Sequence, residues 1–209
     1  MKMNQLLAAV LLLTPAALRG QVLTNGQLIT SFSGGSSVIV APATLGFSFL
    51  IGPHPIAVQA LGVLDAGELG LTASHEVAIW DMTPPVPTMV AEATVEPSGV
   101  EINGFVYAPL TAHITLAVGK TYIIAAQYSG FDRVILGITN GVPLAGAVFG
   151  NAQLAFGPGL NLPTIPAPSA DYGFIGPNFS LEAIAEPGTA ILAICGAITL
   201  LAWRQWRKA

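Results

Sequence analysis

Over residues 44–51 the chain sets Leu45, Phe47, Phe49 and Ile51 at every second position among small or polar neighbours, with Leu50 as the interruption. A period of two marks a half-buried strand, because successive side chains leave a pleated strand on opposite faces. Comparable runs follow at 55–64, 76–81, 89–95, 104–110, 114–118, 121–128 and 134–138, most of them separated by Gly, Pro, Asp or Asn. Those residues favour turns, so the pattern predicts many short strands folded as an antiparallel, all-β sandwich. After a turn signal at Thr139, Asn140 and Gly141, five prolines and several glycines between 143 and 168 predict long surface loops within the domain. A return to apolar character at Tyr172, Phe174 and Phe179 predicts a closing strand over 179–183.

The two ends break this pattern. Lys2 precedes an unbroken apolar run from Leu6 to Leu13, followed by Thr14, Pro15 and small residues. This is the layout of a secretory signal, too short to cross a bilayer as a helix. Residues 1–20 are therefore expected to form a cleavable signal peptide with a short helix, cut before Gln21. At the other end, residues 189–203 carry no charge and are followed by Arg204, Trp206, Arg207 and Lys208. An apolar run closed by cations predicts a single membrane helix with its C-terminus in the cytoplasm. Fifteen residues rise only ~22 Å, short of a ~30 Å hydrocarbon core, which makes this a weak anchor.

Composition narrows the function. Between residues 21 and 182 there are ten acids against two bases, Lys120 and Arg133, a net charge of -8. Such a surface repels nucleic acid and anionic lipid, and nucleic acid is not an expected partner. The one cysteine, Cys195, lies in the apolar tail, so the domain has no disulfide and no thiolate metal site, and its stability comes from packing. Cys195 itself reads as an apolar filler, with lipidation or intermolecular pairing as alternatives.

The succession Glu186, Pro187, Gly188, Thr189, then the apolar run, then Arg204, Arg207 and Lys208 resembles the PEP-CTERM sorting tail of Gram-negative bacteria. The resemblance covers residues 185–208. It implies recognition and cleavage by a membrane-embedded exosortase, with Glu186 and Pro187 in the recognised motif. Ala185 stands where the family has its first proline, a departure that bears on processing efficiency. The order also makes physical sense, since proline suits the first turn of a helix and the helix dipole favours an anion there.

A second resemblance rests on Ala60, Leu61, Gly62, Val63, Leu64 and Asp65, on Gly70 and Leu71 with residues 74–81, and on residues 116–122. Across about 45–135 these are similar to a β-sandwich domain of unknown function found in exported bacterial proteins. That resemblance implies a jelly-roll-like fold and carries no activity.

Candidate chemistry is sparse. Asp65, Glu68, His75, Glu76 and Asp81 fall within one short stretch, and their oxygens suit Ca²⁺. Their spacing matches no EF-hand or zinc pattern, and turn formation accounts for Asp65 while a hydrogen-bonded structural role accounts for His75. His54 and His113 are isolated between strands, and the sequon at Asn178 reads as chance in a bacterial setting. No nucleophile elbow, phosphate loop or dinucleotide fingerprint is present, so no catalysis is expected. Trp80, Tyr107, Tyr122 and Tyr128 offer an aromatic platform for a polysaccharide if they face solvent, or core packing if they do not.

The reading is an exported, tail-processed domain, residues 21–183, followed by a sorting tail, residues 184–209. It passes through the secretion machinery, is held transiently in the inner membrane and is released to the cell surface or extracellular matrix. There it acts structurally or adhesively. A carbohydrate-binding module for exopolysaccharide is the alternative, and a secreted enzyme the second alternative.

Overall fold

A computed structural model describes residues 26–40, 42–67, 70–129, 132–167 and 174–181. The signal segment, the sorting motif, the apolar run 189–203, the basic cluster and Glu68 lie outside these residues. Among the described residues no helix is long and apolar enough to cross a membrane.

Every regular element described is a strand, and every pairing is antiparallel. In chain order these are β1 (Ile29–Ile39), β2 (Ala43–Ile51), β3 (Ile56–Leu64), β4 (His75–Asp81), β5 (Thr88–Val95), β6 (Val100–Ile102), β7 (Phe105–Leu116), β8 (Thr121–Tyr128), β9 (Arg133–Pro143), β10 (Ala147–Phe156), β11 (Ile165–Pro166), β12 (Phe174–Ile175) and β13 (Pro177–Ser180). They form a six-stranded sheet, β11-β10-β2-β8-β4-β5, a four-stranded sheet, β13-β3-β7-β6, and a three-stranded sheet, β1-β9-β12. The architecture is all-β and consistent with a sandwich.

The alternation read in β2 is the reason. Leu45, Phe47, Phe49 and Ile51 are all buried, and they meet Tyr122, Ile124 and Ala126 of the neighbouring β8 on the same face. Phe49 sits at the junction of two sheets, with ring centroids 5.9 Å from Tyr122 in its own sheet and 5.7 Å from Phe179 of β13 in the other. Ring pairs at this separation add attraction to the apolar burial itself. Proline falls where it removes no ladder bond: Pro177 opens the edge strand β13, and Pro109 adjoins the irregularity where residues 110–113 of β7 stand opposite Gln59 of β3.

Several expectations need correction. The runs 104–110 and 114–118 fall largely within the single strand β7, Phe105–Leu116, because that irregularity shifts the register without ending the strand. The turn signal Thr139, Asn140, Gly141 lies inside β9, where β1 supplies ladder partners for Asn140 and Gly141 despite their turn propensity. The segment expected to be loop contains β10, which sits inside the six-stranded sheet between β11 and β2. Glycine hid it: Gly150 breaks the alternation at a register shift between Phe149 and Ala152, and a side chain there would collide with Ser48. The closing strand starts at Pro177, two residues ahead of expectation. β1 and β6 were not anticipated, since the Ser/Gly composition of β1 and the brevity of β6 give no periodic signal.

In β4 the alternation fails for another reason. Ala78 and Trp80 point away from the main core, yet both are buried, because Met82, Leu160 and Leu162 cover them in a smaller outer cluster with Ile123 and Ala125. Thr44 fixes that cover: its hydroxyl donates to the Gly159 carbonyl at 3.2 Å and accepts from the Asn161 amide at 2.9 Å.

Gly46 of β2 lies opposite Ala125 of β8, and a Cβ at Gly46 would overlap the Ile124 carbonyl oxygen and the Ala125 side chain. Both obstacles are in a central strand and cannot swing aside. Gly46→Val is therefore expected to destabilise the protein by about 3 kcal/mol, the upper range for overpacking. A thermal unfolding midpoint unchanged from the parent would refute this.

Candidate functional site

The chemistry-bearing groups converge where β3 and β8 end and β4 and β9 begin. His75 opens β4, Asp132 immediately precedes β9, and their side chains meet at 2.9 Å between Nε2 and Oδ2, with only 1% and 7% exposure. The other ring nitrogen, Nδ1, lies 2.8 Å from the Gln127 carbonyl oxygen in β8. The imidazole thus spans two acceptors. A carbonyl oxygen can only accept, so Nδ1 carries a hydrogen.

Asp132 gathers three more donors. The Thr72 amide donates to Oδ1 at 2.7 Å, the Thr72 hydroxyl donates to the same oxygen at 2.8 Å, and the Ala73 amide donates to Oδ2 at 3.0 Å. Burial by itself raises the carboxyl's pKa. The Thr72 amide, His75, the Thr72 hydroxyl and the Ala73 amide together outweigh it and hold Asp132 below the usual carboxylate range. The Tyr128 ring packs on His75 with centroids 5.0 Å apart.

Asp65 serves a neighbouring turn. Its two oxygens accept from the Gly67 amide at 3.2 Å and the Gly70 amide at 2.8 Å. Gly70 adopts φ +88°, a conformation that a side chain would strain. The same segment and Asp132 line a half-open cleft of about 120 Å³, with Leu64, Leu71, Thr72 and Arg133 among its walls.

The cluster read from the sequence is distributed differently. Glu76 is exposed, on the strand position after His75. Asp81 stands at the other end of β4, where its carboxylate pairs with Lys120 at 2.7 Å and accepts from the Thr83 amide at 2.9 Å. Burial raises the Asp81 carboxyl, but the Lys120 hydrogen bond and the Thr83 contacts prevail and lower it. His75 and Asp81 are the two ends of a seven-residue extended strand, so they cannot share a metal ion. Among the described residues no three His, Cys, Asp or Glu side chains are grouped to hold one.

Trp80, Tyr107, Tyr122 and Tyr128 are all buried, with Tyr128 and Tyr107 among the largest fully enclosed side chains. The aromatic platform is therefore core, as the need of strands for bulky inward residues dictates. Burial pushes the Tyr107 and Tyr128 phenols far above their ordinary pKa, and the Asp132 charge adds to the effect on Tyr128.

Asp132 was missed in the sequence because its partners lie 57 to 60 residues earlier in the chain. Chemically the His–Asp pair is a clamp. With one imidazole nitrogen committed to a main-chain carbonyl and the other to Asp132, neither faces a position where a nucleophile would sit. Comparisons with protein-family models, curated proteins and solved structures return no match.

Proposed function

We propose that this is an exported protein of the cell surface or extracellular matrix, whose β domain acts by interaction and whose tail is recognised and cleaved by an exosortase-type enzyme. The observation that carries the proposal is the order Glu186, Pro187, Gly188, Thr189, an uncharged run to Trp203, and Arg204, Arg207 and Lys208. The segment at 1–20 serves as the signal helix and 189–203 as the transmembrane helix. The jelly-roll-like arrangement is the finer form we assign to the sandwich.

The folded part supports a non-catalytic role. Its buried His75–Asp132 hydrogen bond joins strand ends, its large aromatics fill the core, and its stability needs no disulfide in an oxidising compartment. The carbohydrate-binding alternative loses its aromatic basis, since none of its four rings reaches solvent.

Intact mass and terminal peptide mapping of protein recovered from the cell surface and the medium test this. A chain beginning near Gln21 and ending near Glu186 is expected. Full-length protein confined to the cytoplasm overturns the proposal, and a processed N-terminus with Arg207 and Lys208 retained replaces cleavage by permanent anchoring.

A further inference from the structure

Among the described residues nine large apolar side chains are exposed. Six, Leu50, Val86, Met89, Val118, Val142 and Val148, lie toward one end of the molecule although they come from five separate stretches of chain. Ile39, Phe156 and Ile165 lie apart from them, Ile39 opposite Arg133 and Phe156 opposite Ala43. The hydrogen bonding places them together. Val148 of β10 is the direct partner of Leu50 in β2. The Ile51 amide donates to the Lys120 carbonyl at 3.0 Å and the Gly119 amide to the Ile51 carbonyl at 2.9 Å, which brings in Val118. The Met82 amide donates to the Thr121 carbonyl at 2.9 Å, adding the β4–β5 connection with Val86 and, just beyond it, Met89. Val142 precedes the β9–β10 turn, whose Gly146 carbonyl accepts from Gly52. Exposed apolar residues scattered singly are ordinary, but a cluster along one rim marks a contact surface.

Charge is polarised along the same axis. Exposed Glu76, Glu96 and Glu101 and buried Asp65 and Asp132 lie toward the opposite end, around the start of β4 and the ends of β3 and β8, where Arg133 is the cation among the described residues. Among the described residues the charges at the apolar end are Asp81 and Lys120, which neutralise one another at 2.7 Å. The direction of the chain adds a third observation. β13 runs antiparallel to β3, from Val63 toward Ala60, and so heads for the end where β3 begins opposite Leu116. Leu181 donates to the Gly26 carbonyl at 2.9 Å, and residues 182–188 are all that separate it from the apolar run at 189–203.

We infer that this apolar, electrically neutral rim is a lipid-facing surface, which rests on the bilayer interface while the tail holds the domain there and the acidic end faces away. The inference builds on the proposed tail anchor. A short tether leaves the domain little freedom to stand off the membrane, and an acidic face turned to anionic lipid would be repelled. The rim satisfies both constraints, because valine, leucine and methionine partition into an interface without carrying charge.

The test uses the full chain in vesicles of phosphatidylethanolamine and phosphatidylglycerol, with Cys195→Ala and one new cysteine for a fluorescent label. Val118→Cys reports the rim and Glu101→Cys the opposite end; Val86→Cys, in an exposed connection, replaces Val118→Cys if that variant does not fold. Flotation with the vesicles reports the anchor, and quenching by aqueous iodide reports the face. Expected are co-flotation, several-fold weaker quenching at the rim than at residue 101, and reversal of that order with brominated lipid. Co-flotation with equal quenching at both ends overturns the lipid-facing rim while leaving the anchor intact. Failure to float removes the anchor and the inference with it. Shielding that fades as protein is diluted at constant lipid assigns the rim to a second copy of the chain and likewise overturns the inference.

Discussion

Asp132→Ala is expected to cost about 3 kcal/mol, the upper range for leaving buried hydrogen-bonding groups without their partner. The substitution deletes the acceptor of four contacts at once: the Thr72 amide and hydroxyl, the Ala73 amide and His75 Nε2. His75 is buried and Ala73 half-buried, and a buried donor without an acceptor carries its full desolvation penalty, whereas the exposed Thr72 can turn to water. The strands that lose their link are β4 and β9, so the cleft lined by Leu64, Thr72 and Arg133 should loosen with them. Urea denaturation followed by intrinsic fluorescence reads the loss as a lower midpoint. A change below about 1 kcal/mol, an ordinary value for an exposed ion pair, would contradict the clamp.

The same residue sets a pH dependence. Asp132 is held below its usual range in the folded state, so around the unfolded carboxylate value of ~3.9 the unfolded chain binds more protons than the native one. Stability therefore rises with pH through that region. The contribution of Asp132 is complete above the unfolded value and is lost as pH falls through the lower folded value. Asp81 acts in the same direction through Lys120 and Thr83. Asp132→Asn cannot titrate, so its stability should decline less steeply between about pH 4 and pH 2 than the parent's. Parallel declines would mean that other carboxylates account for the acid sensitivity.

Phe49→Ala should be comparably severe, at about 3–5 kcal/mol for a buried aromatic. Phe49 touches Phe47 in its own strand, Tyr122 in β8 and Phe179 in β13, with centroids 6.5, 5.9 and 5.7 Å away. These contacts span two sheets, so relaxation of one cannot fill the void without shifting the other. Phe49→Leu refills much of the volume and should recover a large part of the loss, which separates cavity formation from a folding defect. Equal losses for the Leu and Ala variants, measured by urea midpoint, would show that ring contacts rather than volume dominate.

The contrast between these two residues shows what was legible. Phe49 belongs to an alternating run, and alternation is a local consequence of the pleat, so its burial could be read without coordinates. The same logic found most of β2, β3, β4, β5 and β8 and the antiparallel all-β class. It failed for β10, where Gly150 and a register shift interrupt the period, and for β1, whose Ser and Gly residues are held by β9 rather than by their own propensity. Strand formation there is a property of the neighbour.

The candidate site was hardly legible at all. The sequence grouped Asp65, Glu68, His75, Glu76 and Asp81 by proximity along the chain, but an extended strand carries His75 and Asp81 to opposite ends. Asp132 joins His75 only because β8 lies beside β4 and delivers its following loop to the start of that strand. The aromatics were equally ambiguous, since Trp80 is buried by Leu160 and Leu162 from a distant loop.

What the sequence determined by itself is whatever depends on local order: the strand periods, the low charge, the absence of thiols from residues 21–182, and the linear succession of motif, apolar run and basic cluster at the tail. What only the tertiary structure decided is what depends on which distant segments meet: the His75–Asp132 clamp, the enclosure of four aromatic rings, and the gathering of Leu50, Val118 and Val148 on one rim. A side chain's environment in an antiparallel sheet is set by strand order and register, and both are non-local.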